Sequence, residues 1–515
     1  VTGGFSALDW SIVGVYMSAM IGVGVYFARR QKTADDYLLA GHRIPVWAAA
    51  ISMVATSVSA ATFLGAPESA YTGNLTYLAQ NLAGIIGVLI VAAVFVPAFF
   101  RAKAATVYSL IGDRLGPDSA KLTSTMFVLG RFLASGARFY MAAIPVSLII
   151  WGDTNIEHLL IAVALMTIVS IAYTLMGGLS AVIWTEVPQA LLFVGAAIVA
   201  IVVLAGKMTL PFGDLFTALQ QSTAASGANK LTLIDTRWNM STDFSLWSAL
   251  FGLTLFNIAV YATDQDLAQR VLSCRSAVKG SQSAILSQVL GIGVALLFLI
   301  IGLLLYIYYQ RPDLMGAAAP TAAPERSREV FLFFVLTEMS SGVRGLMLAG
   351  LFAAAMSSVA SSMGAIASTV IADFYRPLRP GATDRHYVNA SRISVLIAGV
   401  ILGGVAAACV VWQDRAPKAL LNFAIGVMLF AYTGLLGVFL TAVTTRRGSV
   451  ISVAAALATG AACVALMQFG PVRFEHEVNG VVVQSRFSLG WQMLFGTAAA
   501  FLVCILGKRR SAHAP

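Results

Sequence analysis

Apolar runs of about 20 residues, the length a helix needs to cross a hydrocarbon layer, recur along nearly the whole chain. About 13 such spans are predicted, at roughly 7–28, 45–72, 77–100, 119–150, 156–176, 181–206, 245–268, 280–309, 342–373, 389–412, 418–443, 449–468 and 488–507. The polar residues that interrupt them carry the rest of the information. In the second span, Val46 to Tyr71, Ser52, Thr56, Ser57, Ser59 and Thr62 stand in the middle, followed by Gly65, Pro67 and Glu68. A helix bathed in lipid needs no hydroxyls, and Gly and Pro persist there only where neighbours re-satisfy the freed backbone groups. The span reads as a broken helix lining a site where hydroxyls and carbonyls meet an ion or solute. Tight packing inside a bundle is the plainer alternative.

Three further patterns point the same way. In the ninth span Ala354, Ser357 and Ser358 sit at i, i+3 and i+4 and share one helix face. Sodium prefers hard oxygen ligands, and one carbonyl with two hydroxyls supplies three of them. Carbonyls freed at the break of the second span can complete the shell. Alone, Ser-Ser in a membrane helix is a packing feature; its weight comes from the partner helix. Next, Gly177-Gly178 leads into a span that begins with an acid, Glu186, a functional candidate unless it is solvated at the interface or caps the first turn. Last, the segment Asn257 to Arg270 interrupts an apolar run with polar side chains, as a second broken helix should.

Arg131 and Arg138 lie in the fourth span, seven residues apart and so on nearly one face. A guanidinium in hydrocarbon is costly unless paired, and it grips carboxylates in a bidentate way. Either residue can bind an acidic solute or pair with an internal acid; Arg138, the deeper of the two, is favoured for the solute.

Composition fixes the class. The 515 residues are 58% hydrophobic and 11% charged, against about 25% charged in soluble domains. The net charge of +10 does not imply nucleic acid, because the basic residues gather in short loops on one side. These are Arg29–Lys32 with Arg43; Arg101, Lys103, Arg114 and Lys121; Arg270, Arg275 and Lys279; Arg376, Arg379, Arg385 and Arg392; Arg446 and Arg447; and Lys508, Arg509 and Arg510. The positive-inside rule puts that side in the cytoplasm, with the N-terminus outside and the C-terminus inside. The long outer loops, 207–244 and 310–341, are expected to carry short surface helices, and 471–487 reads as a hairpin about Asn479-Gly480. Cys274, Cys409, Cys463 and Cys504 form no CxxC pair. No HExxH, nucleophile elbow or phosphate-binding glycine loop is present, so an enzyme is not expected.

The segments ADDYLLAGHRIPVWAAAISMVATSVSAATFLGAPESAY, YTLMGGLSAVIWTEVPQ, ATDQDLAQR and AAAMSSVASSMGAIAST resemble, in this order and at this spacing, the recurring segments of the sodium/solute symporter family. The resemblance implies an all-α polytopic membrane protein of the LeuT-type 5+5 inverted-repeat fold with two broken helices. Residues 1–44 would be a peripheral helix and loop, 45–206 the first repeat and 207–244 an extracellular loop. The second repeat would be 245–443, with two peripheral helices and a hairpin in 444–515.

The sodium ligands it implies are the carbonyls of Ala55, Val58 and Ala354 and the hydroxyls of Ser357 and Ser358. Glu186 stands where many members have Asp, near the ion's inner exit. Ser361 is kept, but Ala360 replaces a hydroxyl that a second sodium site uses, so one sodium per cycle is expected. Solute contacts are expected from Ser57, Ser59, Thr62, Tyr77, Gln80, Asn81, Phe251, Asn257 and Tyr261, with Arg138 or Arg131 for an anionic group. Members carrying acidic sugars use an arginine on this helix, and FLGAPESAY is similar to the branch that carries monocarboxylates, iodide and vitamins. Sugar acid, monocarboxylate, amino acid and neutral sugar all fit the lining. Gly65, Gly177 and Gly178 are expected flex points. The protein is expected in the plasma membrane (the inner membrane of a bacterium), in contact with lipid, sodium and a small solute, and functional as a monomer. A proton-coupled transporter of the same fold, with Glu186 as carrier, is the alternative.

Overall fold

The computed structural model describes residues 5–28, 39–102, 106–175, 178–224, 227–315, 319–320, 322–415, 420–478 and 481–508. Outside them lie the Arg29–Lys32 run, the ADDY start of the first family segment, Lys103, Gly177, the Asn479-Gly480 turn, Arg509 and Arg510.

The apolar spans become helices. In chain order they are α1 (Ala7–Ala28), α2 (Val46–Ser57), α3 (Ala60–Thr72), α4 (Leu78–Arg101), α5 (Pro117–Trp151), α6 (Ile156–Thr174) and α7 (Leu179–Lys207). Then come α8 (Thr254–Ala262), α9 (Gln265–Leu272), α10 (Ala277–Gln310), α11 (Val330–Glu338), α12 (Val343–Leu378), α13 (Asp384–Arg415), α14 (Leu420–Thr444), α15 (Val450–Phe469) and α16 (Leu489–Ile505). Among the described residues nine helices are long and apolar enough to cross a membrane, and α2 with α3 make a tenth across a 65° bend. Ile156–Ala172, Ser248–Ala262 and Leu489–Ile505 are shorter apolar helices.

Local chemistry sets the boundaries. Pro117 opens α5 at a position where its missing N–H is no loss, and Gly152, in the left-handed region at φ 80, ends it. Ser449 and Ser452 form a capping box at the start of α15. Gly302 of α10 lies so close to Pro67 of α3 that a Cβ would strike the Pro67 carbonyl. The strands β1 (Phe474–Val478) and β2 (Val481–Ser485) pair antiparallel, Phe474 opposite Ser485, as the hairpin pattern predicts.

Three expectations need correction. Gly65 lies not at the break, which falls at Val58–Ser59, but inside α3, where a Cβ would stand 3.0 Å from Leu421 Cγ and 3.2 Å from Leu420 Cβ, so it serves close packing against α14. α11, in the loop expected to carry surface helices, buries Val330, Phe331, Leu332 and Phe334, because its VFLFFVL run is apolar all round. Arg270, counted with the cytoplasmic loop charges, is 1% exposed and works inside the bundle.

Candidate ion and solute site

The first broken helix opens at Val58 and Ser59, both extended (ψ 108 and −179). Ser59 suits this place because its side chain accepts a hydrogen bond from Ala61 N at 3.2 Å, capping α3. The last carbonyls of α2 have no partner within their own helix. They turn to α12. Ser357 Oγ lies 2.8 Å from Ala55 O and 3.1 Å from Ala354 O; Ser358 Oγ lies 3.1 Å from Thr56 O and 3.3 Å from Ala354 O. Each hydroxyl has a single proton for two carbonyls, so the cluster holds more acceptors than donors. Of the five expected ligand groups, four thus meet within hydrogen-bonding distance; Val58 stands at the break and lines the adjoining cavity.

One turn further along α12 the environment changes from neutral to charged. Arg131 Nη1 is 2.7 Å from Asp264 Oδ2, and its Nη2 meets Asp266. Arg270 Nη1 is 2.9 Å from Asp266 Oδ1, and its Nη2 is 2.7 Å from Glu186 Oε1. Ser361 donates to Asp266 and accepts from Arg270 Nη2 at 2.8 Å, and Ser52 donates to Glu186. All five ionic side chains are at most 4% exposed. Asp264 also caps α9 through Asp266 N at 2.9 Å, which fixes the second break at Thr263–Asp264, and it accepts from Tyr432. Glu186 is therefore neither solvated nor an interfacial cap. Its carboxylate is held by Arg270, with Ser361 in the same network.

Beside these two clusters lies a cavity of about 140 Å³. Its wall includes Ser57, Ser59, Thr62, Tyr77, Gln80, Asn81, Asn257, Tyr261, Arg131 and Arg138. Ser57 is exposed into it. Asn257 is tied by its Nδ2 to Leu253 O at 2.8 Å, and Tyr261 by its hydroxyl to Ser287 Oγ at 2.9 Å. Gln80 Oε1 and Asn81 Nδ2 are buried and have no hydrogen-bond partner. Such orphans are rare in native interiors and mark a place for a polar ligand or water.

Two expected solute contacts are corrected. Phe251 is absent from the cavity wall: it is 47% exposed and stacks on Trp247 at 6.3 Å. Six residues before Asn257 is about 240° around a helix, off the face that Asn257 and Tyr261 share, and Phe256 stands in the wall instead. Arg131 reaches the cavity but spends its guanidinium on Asp264 and Asp266. Arg138 differs. It is half-buried, makes no ion pair among the described residues, and donates only to Met428 Sδ at 3.4 Å. Ser287, Gln288, Met428 and Tyr432 also line the wall and were missed; of these only Ser287 and Gln288, polar residues inside an apolar run, left a mark in the sequence.

Comparison with known proteins agrees with this geometry. The model of the sodium:solute symporter family matches residues 37–456. The sodium/sialic acid symporter SiaT of Proteus mirabilis is 31% identical over 472 residues, covering 88% of this chain and 90% of that protein. The sodium/sialic acid symporter NanT of Aliivibrio fischeri is 30% identical over 459 residues, covering 88% and 87%. A solved structure of a Na+-coupled sialic acid symporter, substrate-bound and outward-open, superposes with a TM-score of 0.82 at 25% identity, covering 98% of this chain and all of that one. A predominantly helical LeuT-type fold with a broken helix facing a hydroxyl pair, matched by the family over most of its length, leads to one conclusion: this chain belongs to the sodium:solute symporter family.

Proposed function

We propose that this symporter couples one sodium ion per cycle to the uptake of a small anionic solute, a sugar acid before a monocarboxylate. The observation that carries the reading is Arg138, a cation in the cavity wall with no acidic partner among the described residues. A charge so placed is satisfied by the cargo. The orphaned amide groups of Gln80 and Asn81 fit the hydroxyls or amide of a sugar acid better than a bare short-chain acid. That relatives SiaT and NanT are named for sialic acid supports the same class.

The ion is bound by the carbonyls of Ala55, Val58 and Ala354 with the hydroxyls of Ser357 and Ser358. On binding, the hydroxyls turn their lone pairs to the ion and release the carbonyls they now cap. The ion thereby ties α2 to α12 and closes the wall on which Ser57 and Thr62 face the solute. Coupling of this kind is reciprocal: solute raises sodium affinity by the factor by which sodium raises solute affinity. A membrane potential, negative inside, adds about 2.3 kcal/mol per charge per 100 mV to entry. Glu186 is engaged by Arg270 at 2.7 Å and does not line the cavity, which favours sodium over a proton as the coupling ion.

Residues 45–206 and 245–443 act as the two repeats, in a monomer in the plasma membrane with its N-terminus outside and its C-terminus in the cytoplasm. The test is uptake of labelled sialic acid, lactate and glucose into proteoliposomes under a sodium gradient and under a proton gradient. Sodium-driven sialic acid uptake is expected. Equal uptake of glucose, or uptake driven by protons alone, overturns the reading.

A further inference from the structure

A second cavity, of about 210 Å³, lies away from the solute site, on the flank where α1, α5, α6 and α12 meet. We propose that it seats one acyl chain of a phospholipid from the surrounding bilayer. α1 is pinned to the start of α12 by Asp9, whose Oδ1 accepts from Gly342 N at 2.8 Å and Gly345 N at 2.9 Å. Beyond that pin, Trp10 and Met17 of α1 face Leu348 and Met356 of α12 across the cavity. Eight residues separate Leu348 from Met356, so the slot runs along the helix axes for about 12 Å at 1.5 Å per residue.

Its floor is buried, Leu348 and Met356 being 1% and 3% exposed, whereas Val169 at its mouth is 42% exposed. On membrane-spanning helices an exposed apolar mouth opens onto hydrocarbon. An apolar cavity of even about 150 Å³ stays dry and takes an apolar guest. Left empty, its lining forgoes dispersion contacts on one side. An elongated apolar slot, parallel to the helices and continuous with the acyl region, is shaped for a lipid tail and not for a polar solute or a peptide. The seat has a consequence for transport. Met356 projects from the back of the helix turn whose front carries Ala354 and Ser358, so a chain lodged there bears on the proposed sodium ligands.

The experiment uses the full chain in nanodiscs of phosphatidylcholine doped with a phospholipid bearing a diazirine in the middle of one acyl chain. After irradiation, adducts are mapped by peptide mass spectrometry. Peptides holding Met17 and Met356 are expected to be labelled about tenfold above the equally apolar, lipid-exposed stretch Ile397–Ile401 of α13, the ratio given by about 1.4 kcal/mol of preferential seating. Val169→Trp, which closes the mouth, is expected to remove that excess while a monodisperse size-exclusion peak and a cooperative melting curve show the variant folded. Uniform labelling of all exposed helices overturns the proposal, as does excess labelling that survives Val169→Trp in folded protein. Should that variant fail to fold, the wild-type map alone decides. Retention of detergent or free fatty acid in place of phospholipid, seen by native mass spectrometry, also overturns it.

Discussion

Both broken helices leave backbone groups without partners in their own helix, yet the two breaks are closed by different chemistry. At Val58–Ser59 the freed carbonyls of Ala55 and Thr56 meet neutral hydroxyls from α12. At Thr263–Asp264 the chain is held by charge: Asp264 and Asp266 engage Arg131, Asp266 and Glu186 engage Arg270, and Tyr108 donates to Thr263 O at 2.8 Å. A neutral hydroxyl–carbonyl bond is worth about 1 kcal/mol net, so an ion can displace it and later leave. Breaking a buried ion pair strands a charge and costs about 3–5 kcal/mol. On the proposed reading the first break exchanges a ligand and the second stays closed.

The largest expected effect is on the charged side. Arg270→Ala leaves Glu186 as an uncompensated buried acid and Asp266 with Arg131 alone, a loss of about 3–5 kcal/mol. Little folded protein is expected in thermal unfolding or size exclusion, and a wild-type melting curve would show the network to be dispensable. Arg138→Gln comes next. It removes a charge that makes no ion pair among the described residues, so melting without solute should stay near wild type while binding of an acidic solute weakens roughly a hundredfold, or about 2–3 kcal/mol. Isothermal titration checks it, and full affinity takes Arg138 out of the pocket.

Ser358→Ala probes the neutral break. Sodium half-saturation of uptake is expected to rise about tenfold, with sodium-free stability moved by no more than about 1 kcal/mol. Unchanged sodium activation would end the ligand assignment.

The smallest effect concerns the far end of the same broken helix, where Lys230 Nζ donates to Tyr71 O at 2.6 Å and Ala70 O at 3.2 Å. Burial draws the Lys230 ammonium down from 10.5 to about 8. The folded state therefore binds this proton more weakly than the unfolded one, and stability attributable to the group rises with pH between about 8 and 10.5. Lys230→Met should flatten that part of a melting-temperature profile; a slope equal to wild type would show that another group produces it.

Most of the fold was legible because hydrophobic run length and helix-face spacing are local properties. The break in the second span was readable from Ser59 and its neighbouring hydroxyls, and the face of Ala354, Ser357 and Ser358 from helical periodicity. The π-helical turn at Ser248–Leu253 was not, because its apolar residues, SALFGL, carry no mark distinguishing a wide turn from an ordinary one. Arg270 looked like a loop charge, since nothing near it in the chain says that Glu186, 84 residues earlier, is its partner.

By itself the sequence determined that this chain crosses a membrane many times, where its helices break, and which oxygen-bearing faces could meet an ion. Only the tertiary structure decided which arginine has no acidic partner among the described residues. Arg131 and Arg138 are the same residue on nearly one face, and their difference lies in what approaches them: two aspartates at the second break for one, an open cavity for the other. Pairing across 133 residues depends on how helices pack, and helix packing is written in no single stretch of chain.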